Sequence, residues 1–130
     1  MIIRLDFKSE VPIYQQLRNA VVIAIGTGEL EPGEKLPAIR QLAGELGINA
    51  MTVNKAYAML KAEGFLRVDR RHGASVAAAS SGGPEEREKL QRALQLVISE
   101  ARLHGIGRQE FMDVCTGIFA AMKPAGRADE

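Results

Sequence analysis

Residues that carry chemistry are scarce in this chain. A single cysteine, Cys115, and two histidines, His72 and His104, stand among 130 residues. One cysteine cannot close an internal disulfide, which suits a reducing compartment and leads us to expect a cytoplasmic protein. No apolar run approaches the ~18 residues that read as a membrane span, and Met1 to Phe7 does not read as a signal peptide. No membrane partner is therefore expected. The formal net charge is only +1, too small for bulk electrostatics to name a partner. No acid–base pair, activated nucleophile or ligand cluster stands out either. Cys115 lies on an apolar stripe, where a lone cysteine is usually a small packing residue. His104 precedes Gly105, where a cation suits a helix C-terminus. Two isolated candidates make no ligand set. The expectation is a protein with no catalytic residue, no cofactor and no metal.

What the chain does have is helical periodicity and a local excess of cations. Apolar residues make up 46%, enough for one domain, or a small domain with an appendage. From Leu36 to Ala78, Arg40, Lys55, Lys61, Arg67, Arg70 and Arg71 face only Glu45, Glu63 and Asp69. Beyond Ala79 the two signs nearly balance. Residues 3 to 8 alternate apolar and polar, a strand-like pattern. Pro12 can open a helix carrying Ile13, Leu17, Ala20, Val21, Ala24 and Ile25, which Gly26 and Gly28 end. EPGE (31 to 34) reads as a turn. A second helix starts near Pro37 and buries Ile39, Leu42, Ala43 and Leu46. Gly47 stands where a left-handed residue is needed, and Asn49 caps a third helix with Val53, Ala56, Tyr57 and Leu60 inward. Leu66 and Val68, then Ser75 to Ala77, read as short strands around the basic tip RRHG. ASSGGP (79 to 84) is a break. A long helix over 85 to 104 and a last one striped by Phe111, Val114, Cys115, Ile118 and Met122 complete the pattern.

Three helices followed by a basic hairpin make a winged helix-turn-helix. Two steeply crossing helices need a small residue where their axes approach (Ala43), a turn tolerant of left-handed angles (Gly47), and a buried anchor in the second (Val53). The alternative is a helical hairpin that merely packs. Against it stands the outer face of the third helix, with Ala50, Met51, Asn54, Lys55, Ala58 and Lys61. Its N-terminal part is short and free of acids, so it can enter a major groove ~12 Å wide without repelling phosphate.

PIYQQLRNAV, GELEPGEKLPAIRQLAGELGINAMTVNKAYAMLKAEGFL and the RRHG wing together resemble the DNA-binding domain of GntR-type bacterial transcription regulators, from Pro12 to Val76. The NKAY sequence after TV and the short tail look most like the YtrA-like subfamily. The resemblance implies a winged helix-turn-helix domain over 1–78, a linker over 79–84, a two-helix dimerisation element over 85–123 and a disordered tail over 124–130. The fold class expected is mostly α with a small β wing. The function implied is a dimeric repressor binding an inverted-repeat operator in double-stranded DNA. A small-molecule effector of unknown identity is left open: two helices per chain cannot by themselves enclose the ~300–1,000 Å³ of an ordinary ligand pocket, whereas a dimer interface could.

Carried onto this sequence, the DNA-binding positions are Arg40, Ala50, Met51, Thr52, Asn54, Lys55, Arg70, Arg71, His72 and Gly73. Several have a plainer reading. Arg40 can instead pair with Glu45, and the Thr52 hydroxyl can serve its own backbone. The basic wing tip can be merely solvated. Tyr57 can donate to phosphate, but its inner-stripe position favours packing. The chain also departs from the family pattern. Ala50 and Met51 lack polar reach, Asn54 replaces a common Arg, and Ala38 replaces a capping Ser. Ala74 and Ser75 replace a Thr and an aromatic in the wing, so a less firmly packed return strand is expected.

Overall fold

The computed structural model describes residues 1–123; the tail over 124–130, expected to be disordered, lies outside them. In chain order the elements are α1 (Ile13–Gly26), α2 (Ile39–Leu46), α3 (Ala50–Ala62), β1 (Leu66–Asp69), β2 (Gly73–Val76), α4 (Pro84–Leu103) and α5 (Arg108–Ala121). The expected class is what is found: mostly helical, with a two-stranded antiparallel sheet. The chain forms two units: Met1–Ala79 together with Lys123, and Ser80–Met122.

The first unit is built around α3, which packs on α1, α2 and β1. Its inner stripe, Val53, Ala56, Tyr57 and Leu60, is fully buried against Leu17, Val21 and Ala24 of α1 and Leu42 and Ala43 of α2. The turn between α2 and α3 follows its sequence. Gly47 adopts φ +68°, a left-handed conformation that only glycine takes without strain, and the Ile48 N–H donates back to the Ala43 carbonyl at 3.0 Å. The Asn49 side chain then accepts the Met51 N–H at 2.7 Å and caps α3. Ala38 precedes α2 with no side-chain cap, as its short side chain requires.

Two polar contacts hold α3 in place. The Tyr57 hydroxyl donates to the Pro37 carbonyl at 2.8 Å, joining α3 to the segment that leads into α2. Burial, with a smaller contribution from the Glu45 carboxylate, pushes this phenol up to about 12, so it remains a neutral donor. Tyr57 is therefore a packing residue, not a phosphate ligand. The Arg18 guanidinium forks onto Glu63 at 2.9 and 2.5 Å, tying α1 to the C-terminus of α3.

Residues 3 to 8 do not form a strand, contrary to their alternation. The Asp6 backbone is taken up by one side chain. Gln16 Oε1 accepts the Asp6 N–H at 2.8 Å, and Gln16 Nε2 donates to the Asp6 and Val11 carbonyls at 2.9 and 2.8 Å. Asp6 also accepts the Lys8 N–H and starts a turn. Among the described residues this segment pairs with no strand, and alternation alone cannot supply one.

The wing is firmer than its sequence suggests. Leu66 pairs with Val76 and Val68 with Ala74, and Leu66, Ala74 and Val76 all face the core. Segment 33–36 adds main-chain bonds to the return strand: Leu36 N–H to Ala74 O (2.9 Å), Val76 N–H to Glu34 O (2.8 Å) and Gly33 N–H to Val76 O (2.8 Å). The expectation of a loosely packed β2 is corrected accordingly. Ser75 sits on the outward side of the pleat, so losing an aromatic there costs the inner face nothing.

The second unit is a pair of helices joined at Gly105–Gly107. Pro84 opens α4, and the Glu86 carboxylate accepts the Gly83 N–H at 2.9 Å. No residue of α4 or α5 is buried, although Leu90, Leu94, Val97, Val114 and Ile118 are apolar.

Candidate nucleic-acid interface

The outer face of α3 follows from its inner one. With Val53, Ala56, Tyr57 and Leu60 turned to the core, the 3.6-residue repeat leaves Met51, Asn54, Lys55, Ala58 and Lys61 outside. Met51 is 78% exposed. The Asn54 amide is exposed and has no hydrogen-bond partner among the described residues, so its donor and acceptor can serve a base edge. The Thr52 hydroxyl also has none among the described residues. Its alternative role, serving its own helix end, is taken by Asn49. Ala50 departs from expectation: it is half-buried and packs against the core, leaving little of it to reach outward.

Lys55 is fixed more than its sequence suggests. Its Nζ lies 3.8 Å from the centroid of the Tyr14 ring, a cation–π contact that aims the ammonium along the α1 side of α3. Nothing in the helix pattern marked Tyr14. Arg40 sits exposed on α2 and forms no ion pair among the described residues; Glu45 instead accepts from Gln41 Nε2 at 3.1 Å. The pairing that competed with a free Arg40 is therefore absent.

At the wing, Asp69 and Gly73 close a loop of Arg70, Arg71 and His72, with Gly73 at φ +71°. Asp69 organises the tip. Its carboxylate accepts the His72 N–H at 2.5 Å and lies 3.3 Å from His72 Nδ1. His72 is thus held by an acid, whereas the Arg70 and Arg71 side chains are exposed and form no ion pair among the described residues. An Asp at the first position of a turn is a known turn former; that signal was present in DRRHG and was missed. The His72 backbone N–H, the His72 side chain and the Arg71 backbone N–H hold the Asp69 carboxyl below the usual aspartate range.

That shift has a testable sign. A carboxyl depressed in the folded state favours its turn above the ordinary pKa, and the benefit is lost as pH falls through the depressed value. The His72 amide resonance is expected to titrate with a midpoint below the ~3.9 of an unperturbed aspartate, and Asp69→Asn is expected to abolish that titration. A midpoint at or above the ordinary value overturns the assignment.

The resulting surface is an acid-free helix start flanked by Arg40, Lys55 and a two-arginine loop. Such a surface suits a polyanion with readable edges. Among the described residues no group of His, Cys, Asp or Glu could hold a metal ion, and no helix is long and apolar enough to cross a membrane.

Comparison with known proteins agrees. The model for "Bacterial regulatory proteins, gntR family" matches residues 13–76. An HTH-type transcriptional regulator of Mycobacterium tuberculosis is 35% identical over 105 residues, 76% of this chain and 87% of its own length. The HTH-type transcriptional repressor YtrA of Bacillus subtilis is 28% identical over 129 residues, 98% of this chain and 99% of its own. Among solved structures, YtrA from Sulfolobus acidocaldarius, a GntR-family transcription factor, superposes with a TM-score of 0.62 at 38% identity, covering 79% of this chain and 99% of that one. AraR(DBD) in complex with operator ORX1 gives 0.51 at 28% identity, covering 57% and 92%. The chain belongs to the GntR family of bacterial regulatory proteins, resembles its YtrA type, and is a DNA-binding winged-helix transcription regulator, not an enzyme.

Proposed function

We propose that the chain acts in the cytoplasm as a homodimeric repressor on an inverted-repeat operator. In this reading α3 enters the major groove, Arg40 meets the groove edge, and Arg70, Arg71, His72 and Gly73 meet phosphate or the minor groove. One observation carries it: the first two turns of α3 present Met51, Thr52, Asn54 and Lys55 outward, without an acid and, among the described residues, without side-chain hydrogen bonds. A helix ~10–12 Å across fits the groove. Two copies are needed because one module reads too few bases for genomic selectivity. The bare apolar residues of α4 and α5 supply the surface to pair them. The repressor named YtrA supports the regulatory sign, and the AraR complex supports operator DNA as the ligand.

The chemistry of the outward face predicts what is read. Adenine is read by Asn or Gln, thymine by apolar contact with its methyl, and guanine mostly by Arg or Lys. Half-sites are therefore expected to be read mainly at A·T pairs, with any guanine preference coming from Arg40. Asn54→Ala is expected to cost ~1–3 kcal/mol at one symmetric pair of adenines. Selection of sites from random DNA tests this; an Asn54→Ala protein that selects the parent's bases overturns it.

Lys55 and Arg71 are assigned to the backbone. Alanine at either is expected to weaken specific and random DNA alike and to lower the log–log salt slope by about one. A loss confined to one base position would make that residue a base reader. Salt-insensitive binding throughout would point to a protein partner instead.

A further inference from the structure

We propose that Met51 is a site of reversible oxidation, and that its conversion to the sulfoxide by a peroxide releases the operator. The inference rests on the reading that α3 enters the major groove, and adds a regulation of that same surface. Its starting point is where the thioethers lie. Of the five methionines, Met51 is the most exposed, at 78% against 50% for Met112 and 37% for Met1. Met59, on the same helix, and Met122 are half-buried. Exposure decides the order of attack, because the oxidant must reach a sulfur lone pair. In the step itself, that lone pair takes the terminal oxygen of the peroxide. The S–O bond forms as the O–O bond breaks, and the departing hydroxide leaves as water with the proton of the transferred hydroxyl. The thioether is oxidised by two electrons and the peroxide is reduced by two. Methionine sulfoxide reductases, one for each epimer, reverse the change.

Position gives the oxidation its consequence. Met51 stands in the first turn of α3, where the Asn49 side chain accepts its N–H at 2.7 Å and fixes the backbone. Its thioether is a flexible apolar tip, suited to the methyl of thymine. The sulfoxide is polar, and its oxygen only accepts hydrogen bonds. On the major-groove edge of an A·T pair it would meet that methyl, thymine O4 and adenine N7, neither of which donates. The one donor there, adenine N6, is the group assigned to Asn54. The sulfoxide oxygen would therefore give up its water on entering the groove without gaining a partner, which opposes binding. The fold is not at stake, since the side chain faces solvent and takes no part in the core. Oxidation changes the reading surface and leaves the unit folded.

The test uses the full chain, a duplex that it selects from random DNA, and hydrogen peroxide removed afterwards by catalase. Peptide mass spectrometry is expected to find Met51 oxidised severalfold faster than Met59 or Met122, and slowed when the duplex is bound. The oxidised chain is expected to bind that duplex roughly tenfold or more weakly, the scale of one lost base contact, and to recover on treatment with both reductases. Each variant is compared with itself before peroxide. Met51→Leu is expected to keep its own untreated affinity, whereas Met59→Leu/Met112→Leu/Met122→Leu is expected to lose as much as the parent. All these chains retain Cys115, so damage there appears equally in each. Oxidation of Met51 no faster than that of Met59 overturns the proposal, as does a loss in Met51→Leu equal to the parent's. A chain that binds no duplex before treatment overturns the DNA reading as well; binding that survives oxidation of Met51 overturns this inference alone.

Discussion

A chain ending at Ala78 is expected to sediment as a monomer and to bind an inverted-repeat operator roughly 100-fold or more weakly than the full chain, the usual scale of avidity from linking two modules. The argument rests on where the apolar surface lies. Among the described residues every buried core residue, from Leu17 to Val76, belongs to the first unit, so truncation removes none of these and half-site binding should survive. The helices of the second unit bury nothing, yet Leu90 is 58% and Phe119 73% exposed. A water-facing surface of that kind is normally an interface. Losing it converts a linked second binding event into an independent one. Sedimentation and operator titration of both chains check this. A full chain that is monomeric at micromolar concentration, or a truncated one that binds as tightly, overturns the dimer reading.

Leu60→Ala is expected to destabilise the first unit by ~2–5 kcal/mol, the cost of emptying a well-packed site of this size. Leu60 is fully buried on the inner stripe of α3, where α1 and β1 both pack. Against a total of ~5–15 kcal/mol for ordinary domains, the loss is large, and the melting midpoint should fall by roughly 10 °C or more. Met51→Ala on the same helix is the contrast. That side chain faces water, and its truncation should change stability by no more than ~0.5 kcal/mol while altering base selection. Thermal unfolding of the two variants checks the face assignment. Equal losses would mean that the inner and outer faces of α3 are misassigned.

Much of α3 was legible before any coordinates. Its inner stripe follows a 3.6-residue period, Gly47 and Asn49 mark the turn by their own backbone and side-chain preferences, and the outer face is what remains. The hairpin was equally readable from Leu66, Val68 and the RRHG tip. The same local reading failed at residues 3 to 8. Alternation describes which way side chains would point in a strand, but a strand also needs an unpaired edge beside it. Gln16 instead satisfies the Asp6 backbone.

The interface divides in the same way. Arg40, Met51, Thr52, Asn54, Arg70 and Arg71 are exposed as their positions imply. Ala50 is half-buried, Lys55 is stacked on Tyr14, and His72 is held by Asp69. The Asp69 contact is local and could have been read from DRRHG. The others could not. Lys55 meets Tyr14 only because the shared core of α1 and α3 brings two distant segments face to face, and Lys35 meets Ser75 only because Leu36 and Val76 enter that same core.

The sequence by itself determined the helices, their buried faces, the turn at Gly47, the family and the exposed, acid-free start of α3, because each depends on residues within a few positions of one another or on a contiguous motif. Only the tertiary structure decided that Lys55 stacks on Tyr14, that Ala50 is half-buried, and that segment 33–36 braces the wing. Those depend on how elements distant in sequence pack, and the packing is set by the summed burial of many side chains, which no single stretch of sequence encodes.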